Sequence, residues 1–554
     1  MTLPKKLKTS YETIYSDVEV SKPFMILTSL AILFYFTWWL DFSNAGNFFL
    51  YSLLVIGEIY HVWQALGYVY TIWDQRRPLS KIISTRKRQP PVDVFITVCG
   101  EPPEIVEKTI KAATSMRYKN YKVFVLNDGM SRNLPGWREI NEIAAKYGAI
   151  PITRENNYGA KAGNINHALR QTTAPFFAVF DADHRPYKDF LLRVMSYFTD
   201  EKMAVVQTPQ YYSNSGNSFL TQAAWEQQEL FFGPICRGKN RLNATFWCGT
   251  NAVIRRTALE SIDGIPEDNI AEDFLASLKM HEKGWKSVYV PKVLAEGLAP
   301  HNLGNYVLQQ FRWARGSSEI MFKHNPIFSR GLTWGQKIQY LYSSSYYLNG
   351  FVILIDALIP IYVLFSGALP VKAGTSDFML YFFPFIFSTL HLLMLSTENT
   401  VTYRAIQLSV SSFYVFIKAV LSTIFGVKAK FNITSKSEET GNFLFLVIPH
   451  LAYAALGVAA IIYAFAKNGF VPSILTNASW IIFNIAFFFG FVRVAYPWKL
   501  LLIKSLSKLK SLNLRFLSGT ELPATNLIVT NNTATVVANS DVHEKSAVYE
   551  EKRK

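Results

Sequence analysis

Only three cysteines occur in 554 residues, Cys99, Cys236 and Cys248, with no C-x-x-C pair and no histidine partner at metal spacing. That excludes a disulfide scaffold and the familiar zinc modules, and the thiols read as reduced and cytosolic. Acidic residues are scarce as well: 40 Asp and Glu stand against 56 Lys and Arg, a formal net charge of +16. No nucleic-acid reader motif accompanies that excess, so no nucleic acid is expected as a partner. The first apolar run has no A-x-A site and leads into a bulky aromatic stretch, which argues against a cleavable leader.

Apolar residues, by contrast, make up 50% of the chain, with 42 Phe, 29 Tyr and 12 Trp. They concentrate before residue 75 and after residue 340. Runs near 23–41, 47–73, 343–368, 377–396, 443–466 and 474–496 meet the length of about 20 residues that a bilayer demands. The segment 402–426 is apolar on one side but carries Arg404, Gln407 and Lys418, and reads as an interfacial helix or a seventh span. Basic residues flank the runs: Lys5, Lys6 and Lys8, then Arg76, Arg77, Lys81, Arg86, Lys87 and Arg88, then Lys499, Lys504, Lys508 and Lys510. This bias predicts a multi-pass protein of the plasma (cytoplasmic) membrane with its insert in the cytosol and anionic membrane lipid as a partner. The expected domains are 1–89 (cytosolic arm and two spans), 90–330 (soluble domain), 331–500 (interfacial helices and four spans) and 501–554, a polar tail expected to be disordered.

The insert alternates β-branched runs with helical patterns. "VDVFITVCGEPP", "YKVFVLNDG" and "FFAVFDADH" read as strands, and "EIVEKTIKAATSM", "WREINEIAAKYG" and "DFLLRVMSYF" as helices. Such alternation predicts a parallel sheet in a Rossmann-like α/β domain. Ligands then bind at the carboxyl ends of the strands, where Glu101, Asn127, Asp128, Asp181 and Asp183 fall.

Asp181 and Asp183 stand two apart, so a strand aims both carboxylates to one side. That arrangement suits a divalent ion shared with phosphates. "NYGAKAGN" is a Gly-rich loop that feeds Lys161 into a helix start, a natural diphosphate contact. "NIAEDF" opens another helix with Glu272 and Asp273, where first-turn acids also arise for dipole reasons alone. In "LQQFRWARG", Gln309, Arg312, Trp313 and Gly316 share one helical face, and Arg315 points away from it toward a lipid or structural contact.

The ordered motifs ENNYGAKAGN, DADH, QTPQ, FWCGTN, AED and QQFRW, between membrane runs, resemble the processive family 2 glycosyltransferases. Within them the resemblance is to the catalytic subunits of bacterial cellulose synthases and related β-glucan synthases. It covers residues 50–500 and implies a GT-A glycosyltransferase domain inserted between transmembrane helices. It further implies a UDP-glucose donor, a growing β-glucan acceptor and Mg²⁺ or Mn²⁺. Carried over residue by residue, Asp128 would contact the uridine and Lys161 the diphosphate. Asp181 and Asp183 would hold nucleotide and metal, with Glu101 at the same strand ends. Asp273, beside Glu272, would be the general base. Phe246, Trp247, Cys248, Gly249 and Thr250 would flank the acceptor, and Gln309, Arg312 and Trp313 would line the junction of diphosphate and acceptor. "KFNITSK" resembles the family's gating loop, here 430–441, with Phe431, Thr434 and Lys436. Trp225, Trp247, Tyr346 and Tyr347 are candidate sugar-stacking surfaces, although residues of this kind more often anchor a protein at the membrane interface.

Three features depart from the cellulose synthase pattern. Ala271 replaces the threonine of the family's TED, Phe246-Trp247 replaces a phenylalanine pair, and the tail is too short and polar for a cyclic di-GMP-binding barrel. The product therefore stays open among cellulose, a β-1,3-glucan and a mixed-linkage β-1,3/1,4-glucan. Hyaluronan- or chitin-like synthesis from N-acetylated donors, a non-processive glycolipid transferase and a silent export scaffold are the competing readings. Accessory export subunits or a homo-oligomer would be the protein partners.

Overall fold

A computed structural model of the chain describes residues 18–75, 89–372, 374–427 and 441–496, together with a hairpin of Val529–Thr530 and Thr533–Ala534 that stands by itself. Phe431, Thr434 and Lys436, the three basic clusters and most of the tail lie outside the described residues.

The insert is built on a seven-stranded sheet. Its strands are β1 (Val92–Val98), β2 (Tyr121–Asn127), β3 (Ile150–Thr153), β4 (Phe176–Asp181), β6 (Met203–Gln207), β8 (Ala252–Arg255) and β9 (Lys286–Tyr289), in spatial order β3-β2-β1-β4-β8-β6-β9. Every residue of "VDVFITV" is buried, because helices cover both faces of the sheet. One apolar cluster lies on each face, around Val94, Ile96 and Ile110 on one side and Phe95, Phe177 and Ile254 on the other. Three shorter strands, β5 (Arg185–Pro186), β7 (Tyr211–Tyr212) and β10 (Ala295–Gly297), make a second small sheet.

The expected all-parallel sheet needs one correction. β8 runs antiparallel to both β4 and β6. Between β7 and β8 the chain makes a helical excursion, Phe219–Lys239, and re-enters the sheet from the end where β4 finishes. The loop before β8 is thereby delivered to the carboxyl end of β4. That reversal puts Cys248 and Gly249 beside Asp181, and the hydrogen bond from the Asp181 amide to Thr250 Oγ1 (3.0 Å) fastens the two together.

Among the described residues, six helices are long and apolar enough to cross a membrane: Lys22–Leu40, Phe48–Ile72, Trp334–Ser366, Ser376–Ser396, Leu444–Asn468 and Pro472–Ala495. They match the six apolar runs. The ambiguous 402–426 stretch forms two helices, Tyr403–Ser411 and Phe413–Ile424, bent by 44° at their junction. The helix Leu303–Lys323 joins the two halves of the molecule. Its start is fixed by Asn302, whose side chain accepts from the Asn305 amide. Its Tyr306 ring meets Phe491 edge-on at 6.0 Å. Its Arg315, 3% exposed, pairs with Glu319 at 3.0 Å and donates to Ser422 Oγ at 2.7 Å. Arg315 is thus a structural contact between halves and not a lipid contact.

Candidate functional site

A cavity of about 210 Å³ opens at the carboxyl ends of the strands. Glu101 and Asp128 line it from the ends of β1 and β2, and Lys161 from the Gly-rich loop. Asp181 and Asp183 enter from β4, Cys248 and Gly249 from the loop before β8. Glu272 and Asp273 come from the first turn of the Glu272–Glu282 helix, and Gln309, Arg312 and Trp313 from the long helix. Folding therefore gathers one wall from each of the separate motifs.

At one end of the cavity, charge is matched. Asp128 is 3% exposed and receives both Nε and Nη2 of Arg154 at 2.6 Å. The same guanidinium donates to the carbonyls of Tyr158 and Ala160, each at 2.6 Å, so it ties the Gly-rich loop to β2. Bidentate pairing of this kind fixes orientation as well as charge. Arg154 was not anticipated from the sequence, although a cation at the end of β3 obeys the same strand-end rule that picked out Asp128. Glu101 Oε2 accepts from the Cys99 amide at 2.6 Å, which turns the loop after β1 into the cavity.

At the other end, carboxylates outnumber cations. Lys161 pairs with Asp181 and donates to the Gly249 carbonyl at 2.8 Å. Burial pulls the Lys161 ammonium down, but Asp181, Glu272 and Asp273 together outweigh it and hold its pKa above the ordinary lysine value. Asp181 shows the converse balance: burial raises it, and Lys161 and His184 bring it below the usual carboxylate range. Glu272 and Asp273 are both pushed up, first by burial; Asp273 adds to the rise at Glu272, and Asp181 to that at Asp273. Two acids with raised pKa values thus face a lysine in the cleft, an arrangement that clusters at sites where protons are transferred.

Two glycines keep this end open. Gly249 sits at φ +79°, and a Cβ there would lie 2.9 Å from Asp273 Oδ2. Gly316 packs so tightly on the residue before the acidic pair that an added Cβ would stand 2.2 Å from that of Ala271. The departure from threonine at 271 and the glycine at 316 are thus one packing solution: two small residues let the Gln309–Trp313 face approach Glu272 and Asp273. The helix N-cap is Ala271, which has no side-chain oxygen, and Asp273 Oδ1 accepts from the Phe274 amide at 2.8 Å, so this acid also satisfies a first-turn amide.

The five residues expected around the acceptor separate into two groups. Cys248 and Gly249 line the cavity. Thr250 is buried behind Asp181. Phe246 packs on Phe274 at 4.4 Å. Trp247 is 0% exposed within the apolar cluster under the sheet, which corrects its assignment to the acceptor: an indole buried among Phe95, Ile254 and Met280 has no face to offer a sugar. The other aromatic candidates are held by protein contacts, Trp225 edge-on to Tyr211, Tyr346 by a 2.6 Å hydrogen bond to Ser409, and Tyr347 against Phe416. The cavity also holds Arg132 and Tyr212, which sequence patterns had not singled out, and Gln210 and His184, which close the QTPQ and DADH motifs but had been given no role.

Asp181 and Asp183 fit a hard divalent ion. Among the described residues no three His, Cys, Asp or Glu side chains form a complete metal cluster. Two carboxylates at one strand end are nevertheless the donor set that Mg²⁺ or Mn²⁺ uses when phosphate oxygens and water complete the shell. The Leu298 amide donates to Asp183 Oδ2 at 3.1 Å and holds one of these donors in place.

Comparison with known proteins bears on the same segments. Residues 90–316 match the family described as Glycosyltransferase like family 2, and residues 264–501 match Cellulose synthase. The chain is 31% identical over 501 residues to the UDP-forming cellulose synthase catalytic subunit of Pseudomonas fluorescens, covering 85% of this chain and 66% of that one. It is 34% identical over 339 residues to the corresponding subunit of Xanthomonas axonopodis pv. citri, covering 59% and 46%. The chain spans between about a third and two thirds of the length of such relatives. Among solved structures, a mannosyltransferase from Pyrobaculum calidifontis in complex with GDP-Man and Mn²⁺ overlaps at a TM-score of 0.49 and 17% identity, covering 68% of this chain and 100% of that one. That likeness is too loose to speak to ligands.

Proposed function

We propose, for a chain that belongs to the cellulose synthase family of family 2 glycosyltransferases, that it polymerises glucose from UDP-glucose into a β-glucan and exports the product through its own membrane helices. The observation that carries this reading is the single cavity in which Lys161, Asp181, Asp183, Glu272, Asp273 and Arg312 converge, on a helix that also packs against the membrane bundle.

The uridine lies at the Asp128–Arg154 end, and the diphosphate crosses to Lys161 and Arg312. Trp313 gives the sugar ring an apolar face beside those cations. An acceptor hydroxyl enters over Gly249, where the missing side chain leaves room next to Asp273. Asp273 takes the hydroxyl proton as the oxygen attacks the anomeric carbon. The new C–O bond forms as the bond to the diphosphate breaks, and the electron pair leaves with UDP. One displacement inverts the anomeric centre, so an α-linked donor yields a β-linked product. Lys161 and Arg312 stabilise the charge that grows on the departing UDP. A divalent ion on Asp181 and Asp183 would neutralise further phosphate charge when bound. Asp181 and, when it is ionised, Glu272 hold the charge on Lys161.

A glycan left in hydrocarbon would strand its hydroxyls without partners, each at a cost of several kcal/mol. Coupling synthesis to a protein-lined path avoids that cost, and from the basic residues that flank the apolar runs we place the catalytic domain on the cytosolic side of the plasma membrane. Purified full-length protein in nanodiscs, given labelled UDP-glucose and Mg²⁺ or Mn²⁺, should incorporate label into polymer. Digestion with linkage-specific β-glucanases then assigns the product. Short glycolipid products, or turnover only with N-acetylated donors, would replace this reading.

A further inference from the structure

A groove of about 440 Å³ lies apart from the catalytic cavity. One wall is a face of the Glu272–Glu282 helix, where Leu275, Leu278, Lys279 and Glu282 recur at helical spacing. The other wall is the end of the long helix and the turn Pro326–Phe328, with Phe322, Lys323, His324 and Phe328. Asn325 Oδ1 accepts from the Ile327 amide at 3.0 Å and shapes that turn. The loop that follows lies directly on the first wall: a Cβ added to Gly331 would stand 2.1 Å from the Glu282 carbonyl oxygen.

Two contacts fix the level of this turn relative to the bilayer. Lys337, in the first turn of the spanning helix Trp334–Ser366, donates to the Ile327 carbonyl at 2.9 Å and stands 4.9 Å over the Trp334 ring. Gln339 donates at 2.8 Å to the hydroxyl of Thr71, in the last turn of the spanning helix Phe48–Ile72. Both helices leave the bilayer here, because each joins the catalytic domain at this end. Trp334 lies about 7 Å before Gln339 along its helix, comparable with a headgroup layer of about 5–8 Å. The groove is therefore at the membrane surface on the side of the catalytic domain.

Its chemistry suits that level. Phe328 is 81% exposed, Trp334 73% and Phe322 45%, an arrangement unfavourable in water and ordinary for aromatic residues at a membrane interface. Glu282 is the one carboxylate in the lining, against Lys279 and Lys323. Arg315 and Lys323 share the single carboxylate of Glu319, at 3.0 and 3.2 Å, so one of these two cations stays uncompensated. Asp268 also acts on His324, but Arg330 and Lys337 at the turn keep cations in excess.

We propose that this groove binds an anionic phospholipid of the adjoining leaflet, with its phosphate on Lys279 and Lys323 and its acyl chains along Phe322 and Phe328. A soluble anion would leave both rings in water, and a zwitterionic headgroup would bring a further cation to the lysines. The inference stands independently of the catalytic reading.

The test places the full-length protein in phosphatidylcholine nanodiscs that carry, at equal mole fraction, photoactivatable phosphatidylglycerol or photoactivatable phosphatidylcholine. Peptide mass spectrometry after illumination should find phosphatidylglycerol on residues 275–282 and 322–330 at least about tenfold more often than phosphatidylcholine, as two lysines at a membrane surface allow. The double variant Lys279→Gln/Lys323→Gln should bring that labelling down to the phosphatidylcholine level and leave labelling elsewhere on the chain unchanged. Excess soluble glycerol phosphate should not compete. Equal labelling by the two lipids would overturn the proposal without relying on any variant to fold. So would a preference that survives the double substitution, displacement by glycerol phosphate, or crosslinks from these segments to a second copy of the chain.

Discussion

The two ends of the catalytic cavity differ in how they balance charge. At the Asp128 end, one carboxylate meets one guanidinium in a bidentate pair that is nearly closed to solvent. At the Asp273 end, Lys161 and Arg312 face Asp181, Asp183, Glu272 and Asp273, and no one-to-one pairing is possible. A matched pair is rigid and chemically quiet. A mismatched set holds acids whose protonation can change during a reaction cycle. In the proposed function one end holds a ligand and the other changes it.

The largest effect should come from the mismatched end. Asp273→Asn removes the base and should lower polymer synthesis by about 10³-fold or more, while UDP binding measured by calorimetry changes by less than about threefold. Substantial residual synthesis would sink the assignment of Asp273. Arg312→Lys keeps the charge but loses the planar fork, and kcat should fall about 10²-fold with a smaller change in KM. Gly316→Ala forces the long helix off Ala271 and should cost about 10-fold to 10²-fold in kcat without altering UDP affinity, because a shift near 1 Å spoils alignment.

At the matched end the pattern should invert. Arg154→Gln leaves a buried carboxylate unpaired and unties the Gly-rich loop. It should raise KM for UDP-glucose about tenfold with little change in kcat, and lower the melting temperature. If instead kcat fell as far as it does for Arg312→Lys, the division between the two ends would be wrong.

The smallest effect concerns stability. Glu272 has its pKa raised in the folded protein, first by burial and then by Asp273. Between the ordinary carboxylate range and that raised value, the folded state holds a proton that the unfolded chain has released. Stability therefore falls as pH rises through that window and is unaffected below it. Glu272→Gln should raise the melting temperature at pH 8 by about 2–4 °C and do much less at pH 5. The same raised acids predict that activity falls on acidification at a higher pH than a free carboxylate would give, since the base must be ionised to act.

Much of this was legible in order and composition. Six apolar runs gave six spanning helices because hydrocarbon demands a minimum length of apolar chain, and length is a local property. β1, β2 and β4 were legible because a strand buried on both faces has to be apolar throughout. Lys161, Asp181, Asp183 and Asp273 were legible because each ends or begins a regular element, where polar side chains can leave the core. The reversal of β8 was not, because strand direction depends on the path of a long excursion and leaves no local pattern. Nor was the burial of Trp247, since an aromatic residue before a glycine turn reads alike whether its ring turns inward or outward.

The sequence by itself determined which elements form and which chemical groups stand at their ends, because propensity and hydrophobic period act over a few residues. Only the tertiary structure decided which of those groups meet. Arg154 closing on Asp128, Gly316 fitting against Ala271, and His61 lying between Glu58 and Asp356 are all pairings of residues from separate elements. Such pairings are fixed by packing, which responds to volume and charge in three dimensions and leaves no periodic trace along the chain.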